Sequence, residues 1–176
     1  FKEYEWSRDV CDKLCKQLQE DGYRCIIDYT GQNEIGLSNR AQIVNNYCKY
    51  FGSQKCLYVS IHVNAAKSDG KWHTASGWES HIAVNASENS KKIANIMWEE
   101  FSKLDIKMRR PTPKQNYWEN NFTVLKKTLC PAILTENMFQ DCKDDVEYLT
   151  SKKGKDELIM AHKNAIEQYV NELIVK

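Results

Sequence analysis

Proline and glycine are scarce in this chain, three and seven in 176 residues. That leaves no room for a long low-complexity linker, and no internal repeat is visible. An excess of one charge is missing too: 25 basic against 24 acidic side chains leave +1. No basic field argues for nucleic acid, and no acidic tail argues for a solvating segment. The apolar runs are far too short to cross a bilayer, and the opening FKEYEWSRDV lacks the form of a secretory signal. Cysteine is present seven times but never as C-x-x-C, and the count is odd. Both facts argue against a closed disulfide framework and a thiol-ligated zinc. Cys25, Cys56 and Cys130 sit beside apolar runs, where a free cysteine behaves as a small hydrophobe. Reduced, buried thiols are the expectation, and with them folding in a reducing compartment. Also absent are H-E-x-x-H, the G-x-S-x-G elbow, a phosphate-binding loop and the Rossmann glycine fingerprint.

What is present organises around residues 56–66, CLYVSIHVNAA. A β-rich run ends on His62 and the turn-prone Val63-Asn64, the pattern of a buried strand in a sheet covered on both faces. A second run, CPAILTENMF at 130–139, leads into Glu136. Ligands of open α/β sheets bind outside the carboxyl ends of strands, so two strands delivering one titratable group each to that edge form a candidate site.

The remaining pattern predicts a helix over 3–21, with Trp6, Val10, Leu14 and Leu18 inside and Gly22 as its stop. A strand over 23–29, a loop over 30–34 and a helix capped by Ser38 and closing near Gly52 follow. Next come a loop to Gly77, a strand over 78–84, and a Ser87-capped helix through Leu104. Residues 105–121, with Arg109, Arg110, Tyr117 and Trp118, read as a surface loop able to line a groove but outside the active site. A short extended piece at 122–125, a strand at 131–135 and helices at 144–149 and 155–174 complete the chain. Strands alternating with helices give a single α/β domain, a mainly parallel sheet with helices on both faces.

Taken singly, these residues leave alternatives open. His62 is equally a hydrogen-bonded histidine at a strand end. Glu136, directly after AILT, is costly to bury without a partner such as a metal or water. Glu3 and Glu5 suit a helix N-terminus through the dipole alone. His73 is expected to face solvent, His81 faces either the core or solvent, and His162 is structural.

Together the motifs carry a resemblance. An acidic opening of the first helix is followed by Leu37-Ser38-x-Arg40, then Ser-Ile-His-x-Asn-Ala at 60–65. Gly77-x-Glu79 comes next, and the run at 125–136 is LKKTLCPAILTE. This pattern resembles the zinc-dependent N-acetylmuramoyl-L-alanine amidases of bacterial and phage cell-wall lysis, over nearly the whole chain. The resemblance implies Zn2+ held by His62 and by a glutamate opening helix one. Glu3 fits the family's interval to Gly22 better than Glu5. It implies Glu136 as the catalytic acid–base residue, and Asn64 and Glu79 as substrate contacts. Arg40 is read as structural. The family's first histidine belongs to a strand ahead of helix one, so residues 1–176 are expected to be a catalytic domain lacking that strand, with the third ligand ahead of Phe1. His73 and His81 are possible substitutes at positions the family does not use.

The implied activity is hydrolysis of the amide between N-acetylmuramic acid and L-alanine in peptidoglycan. The implied location is the cell envelope, periplasmic or secreted, or a phage lysin released at lysis. The alternatives are a non-catalytic peptidoglycan-binding relative and a zinc carboxypeptidase on the same fold.

Overall fold

A computed structural model describes residues 1–29 and 35–174, so the loop expected at 30–34 lies outside the described residues. The first helix, α1, is Glu3–Glu20. Its apolar positions Trp6, Val10, Leu14 and Leu18 recur every fourth residue and are all buried. Gly22 stops it as expected: its φ of +89° is cheap only for glycine, and Tyr23 N–H turns back to the Leu18 carbonyl at 2.9 Å. After α2 (Leu37–Phe51) and one 3-10 turn (Ser53–Lys55) come β1 (Tyr58–Asn64), β2 (Glu79–Ile82) and α3 (Glu88–Phe101). They are followed by β3 (Trp118–Glu119), α4 (Thr123–Lys127), β4 (Ala132–Phe139), α5 (Lys143–Thr150) and α6 (Lys152–Ile174).

The strands form one sheet in the order β1-β4-β2-β3. β1 runs parallel to β4 and β2 parallel to β3, while β2 is antiparallel to β4. The expected α/β class with a mainly parallel sheet therefore holds, with one antiparallel junction. Alternation along β4 divides the core. Ile133 joins the larger cluster with Trp6 and Val10 of α1, Ile93 and Met97 of α3, and Leu158 and Tyr169 of α6. Ala132 and Leu134 point the other way and join Val124 and Leu125 of α4. Because side chains alternate with period two, Glu136 shares the face of Ala132 and Leu134.

Four expectations need correction. Residues 23–29 form no strand: no ladder partner exists for them among the described residues, and side chains tie the segment down instead. Gln19 Nε2 donates to the Cys25 carbonyl (2.9 Å), and Tyr29 Oη donates to Asp12 (3.0 Å). Residues 123–127 are helical rather than extended, since a helical turn places Val124 and Leu125 together against β4 and leaves Lys126 and Lys127 at its C-terminal end. Trp118 and Glu119 are not loop but a two-residue edge strand beside His81 and Ile82. Ser38 is not a cap. The α2 helix starts at Leu37 behind Gly36, and the Ser38 hydroxyl accepts from Lys127 Nζ at 2.9 Å. Ser87 does cap α3, accepting from Ser90 N–H at 3.2 Å.

All seven cysteines are free, four of them buried and Cys11, Cys25 and Cys56 half-buried. Among the described residues no helix is long and apolar enough to cross a membrane.

Candidate active site

The ladder between β1 and β4 sets His62 directly beside Glu136. One step further the register slips: Asn64 pairs with Phe139, so β4 carries an extra residue. That bulge is made by Met138, whose φ of +67° lies in the left-handed region. Bulges at strand ends re-aim side chains and end pairing, which is what a site at a sheet edge needs. Asn137, fully buried, holds the distortion by donating Nδ2–H to the His62 carbonyl at 3.0 Å.

Helix α1 starts over the same edge. Glu3 Oε1 lies 3.0 Å from His62 Nδ1 and accepts the Val63 N–H at 3.2 Å. Glu5 points to solvent and accepts from Lys2 Nζ and Tyr4 Oη. Of the two glutamates at the helix start, Glu3 is thus the one brought to His62. The other ring nitrogen, Nε2, lies 3.0 Å from Ser60 Oγ.

Glu136 is different. Its Oε2 is buried with no hydrogen-bond partner, the kind of orphan that native interiors seldom tolerate without a reason. Burial is the largest cause pushing its carboxyl up, to about 7; His62 opposes, and the negative charges of Glu3 and Glu79 add to the rise. Burial would also raise Glu3, but the hydrogen bonds from His62 and Val63 outweigh it and hold Glu3 below the usual carboxylate range. Burial alone would lower His62, yet the Glu3 hydrogen bond and the charges of Glu136 and Glu3 carry it upward. The site pairs a carboxylate held ionised with one held near its switching point.

On the far side, Glu79 faces Glu136 across the antiparallel ladder. Its Oε1 accepts Asn64 Nδ2–H at 3.0 Å and lies 3.3 Å from His81 Nε2, while Oε2 accepts Arg109 Nε–H at 2.8 Å. Asn64 and Glu79 therefore meet, beside Glu136. His81 is buried, with Nδ1 2.7 Å from Asn120 Nδ2. His73, expected in solvent, is half-buried and clamped: its N–H reaches the Asp141 carbonyl at 2.7 Å and its ring reaches Asp69 at 2.9 Å. Neither histidine joins His62 and Glu3. Arg40 is paired with Asp28 at 2.9 Å, and its charge acts weakly on His62.

Several residues of this edge escaped the sequence reading. Asp141 gathers the Ala66 and Lys67 N–H groups on its carboxylate, and Asp145 gathers Ser76 Oγ and the N–H groups of Gly77 and Phe139. Together they pin the loop after β1 to the end of β4. Apart from Phe139, six positions before Asp145, their partners are tens of residues away in the chain, so no local pattern announces them. Arg109 was placed in a surface loop, and its contact with Glu79 brings it to the site.

The donor set can be tested against zinc. A nitrogen and an oxygen about 2.0–2.1 Å from a tetrahedral ion are about 3.3 Å apart, and His62 Nδ1 and Glu3 Oε1 stand at 3.0 Å. Donor type and spacing fit, and the orphaned Glu136 Oε2 alongside is the partner such a site leaves free. Among the described residues, however, no three histidine, cysteine or acidic side chains are grouped so as to hold a metal.

The family model described as N-acetylmuramoyl-L-alanine amidase matches residues 1–168. The amidase CwlM of Bacillus licheniformis is 28% identical over 147 residues, 83% of this chain and 51% of that protein. The endolysin of Bacillus phage SPP1 is 22% identical over 169 residues, 93% of this chain and 58% of its own length. The chain thus spans about half the length of these curated relatives. The crystal structure of an N-acetylmuramoyl-L-alanine amidase from Clostridium difficile 630 superposes with a TM-score of 0.80 at 25% identity, over 97% of this chain and 85% of that one. A match over nearly all of its length settles the family, and this chain belongs to the N-acetylmuramoyl-L-alanine amidases.

Proposed function

We propose that this chain is the catalytic domain of a zinc amidase that cleaves peptidoglycan between the lactyl group of N-acetylmuramic acid and L-alanine. The observation that carries the reading is the buried, partnerless Oε2 of Glu136, registered beside a histidine whose ring is held by Glu3. Glu3 and His62 would hold the zinc, and the shell needs one more donor than the described residues group together. The ligand proposed for that place is a histidine ahead of Phe1. When bound, zinc supplies Lewis acidity toward the scissile carbonyl and lowers the pKa of water.

The protein's own groups then divide the work. Glu136, held near neutrality by burial, takes the proton of the attacking water and returns it to the leaving amine of L-alanine, a role that needs a carboxylate beside the metal and not on it. Glu3, kept ionised, and His62 would present Oε1 and Nδ1 side by side to the ion, and Asn137 fixes the strand that carries His62. The Asp141 and Asp145 clamps hold the loop that walls the edge. The place of action that follows is the cell envelope, periplasmic or secreted, or the wall met by a phage lysin at lysis; the relatives' names support both.

One observation favours a second reading. The incomplete donor group suits a peptidoglycan-binding relative that does not hydrolyse. Mass spectrometry of purified peptidoglycan, digested with and without a chelator, separates the two. Free stem peptides and peptide-free glycan, lost on chelation and regained with zinc, are expected. Wall binding without any cleavage overturns the amidase reading, and stems shortened by one residue but still joined to sugar turn it into a carboxypeptidase.

A further inference from the structure

The edge that carries Glu3, Glu79 and Glu136 is acidic, yet a cation stands within it. Arg109 donates Nε–H to Glu79 Oε2 at 2.8 Å, and its guanidinium lies over the Phe139 ring, 4.9 Å from the centroid. Its own N–H is tied to the Trp78 carbonyl at 2.8 Å. Glu79 is 8% exposed and already accepts from Asn64, His81 and Arg109, so it has little capacity left for a ligand. The Arg109 side chain is 33% exposed, and its two terminal nitrogens have no partner among the described residues. A guanidinium that spends Nε–H on one carboxylate keeps its end-on fork, two parallel N–H donors matched to a second carboxylate. Glu79 and Asn64 are then the support that aims this fork.

We infer that Arg109 is the anchor for a free carboxylate on the substrate's stem peptide. This rests on the amidase reading and deepens it by naming a specificity. Glu79 lies opposite Glu136 in the ladder, where antiparallel partners are about 4.5–5.5 Å apart, and the Arg109 guanidinium, bonded to Glu79 Oε2 and lying over the Phe139 ring, sits one side chain beyond Glu79. An extended peptide advances about 3.3–3.6 Å per residue. The group that reaches Arg109 therefore belongs to the second residue of the stem, one step past the L-alanine released at Glu136. The chemistry at that position is a γ-linked acidic residue, whose α-carboxyl occurs free or as the amide. The fork accepts the carboxylate and finds a donor instead of an acceptor on one arm of the carboxamide.

The test uses the zinc-loaded protein and two muramoyl dipeptides, identical except for a carboxylate or a carboxamide at the second residue. The acid is expected to be cleaved with a kcat/KM roughly tenfold or more above the amide, the difference lying in KM. Arg109→Met should collapse that ratio toward one, and Arg109→Lys, which keeps charge but loses the fork, should leave part of it. A ratio kept in Arg109→Met, with both substrates slowed alike, overturns the anchor and leaves Arg109 a support for Glu79. Calorimetry on chelator-treated wild-type protein with L-alanyl-γ-D-glutamate and its α-amide reads the same contact without turnover. Tighter binding of the acid supports the anchor, and equal binding overturns it. If the acid binds preferentially while neither muramoyl dipeptide is cleaved, the anchor stands and the amidase reading falls. If both are cleaved at equal rates, the reverse holds.

Discussion

Neighbouring residues of β4 face opposite sides of one sheet and meet opposite treatment. On the α6 side, Thr135 is buried with its hydroxyl 2.9 Å from His162 Nε2, and His162 Nδ1 donates to the Leu158 carbonyl at 2.8 Å. Both ring nitrogens of this histidine are satisfied and burial pushes it down to about 4, so it stays neutral. On the other side, Glu136 is buried with one oxygen unpartnered and is pushed up to about 7 by the same physical cause. A buried polar group that is fully partnered fixes a core; one left without a partner beside other titratable groups is poised for a ligand. The residue types alone do not separate the two cases. The partner count and the ionisable type together do: of the buried side-chain atoms without a partner among the described residues, only Glu136 Oε2 belongs to an ionisable group.

The largest effect expected from breaking this contrast is at Glu136. Glu136→Gln keeps the shape and removes the proton acceptor, so hydrolysis should fall by about a thousandfold or more, while zinc content is unchanged. Because the variant no longer buries a reluctant carboxylate, thermal unfolding of the chelated protein should occur at the same or higher temperature. Glu3→Gln comes next: zinc affinity should drop by about a hundredfold or more, read by competition with a chromogenic chelator. Glu5→Gln, whose carboxylate only meets Lys2 and Tyr4, should leave it in place. A loss at Glu5 and none at Glu3 would reverse that assignment.

On the structural face the expected readout is stability against pH. The folded value of His162, about 4, lies below the ordinary 6.5, so the unfolded chain binds the proton first as pH falls. Above pH 6.5 the group has no effect; between 6.5 and about 4 the fold loses up to about 3 kcal/mol on this account. Urea unfolding of wild type and His162→Gln at pH 7.5 and 4.5 should show the gap between them narrowing at the lower pH, and a gap that widens would contradict it. Smallest is Asn137→Ala, which removes the donor on the His62 carbonyl and should lower stability by about 1 kcal/mol.

How far the sequence carried these conclusions differs by element. Strands β1 and β4 were legible because both faces are covered, which makes each a short continuous apolar run ending in a titratable group. Helix α1 was legible from four-residue spacing, α3 from the Ser87 cap and α6 from its run of apolar positions. The run at 23–29 has strand composition too, but a strand needs a ladder, and composition does not reveal whether a partner is there. The piece at 122–125 offered too few residues for its period to separate helix from strand. At the site, His62 and Glu136 were visible as the titratable groups of two apolar runs, although β1 and β4 continue past them to Asn64 and Phe139, and Glu3 was separated from Glu5 only by resemblance. Arg109, Asp141 and Asp145 were invisible as site residues because their work depends mostly on partners 30 to 75 positions away.

In the proposed mechanism the orphaned carboxylate of β4 does the chemistry while the opposite face of the strand holds the fold. The most direct measurement is the release of free stem peptides from peptidoglycan by Glu136→Gln, followed by mass spectrometry on a preparation whose zinc content and unfolding temperature are measured alongside. Bound zinc, an intact fold and no released stem peptide are expected. Release at the wild-type rate from a zinc-loaded, folded Glu136→Gln protein would contradict that mechanism.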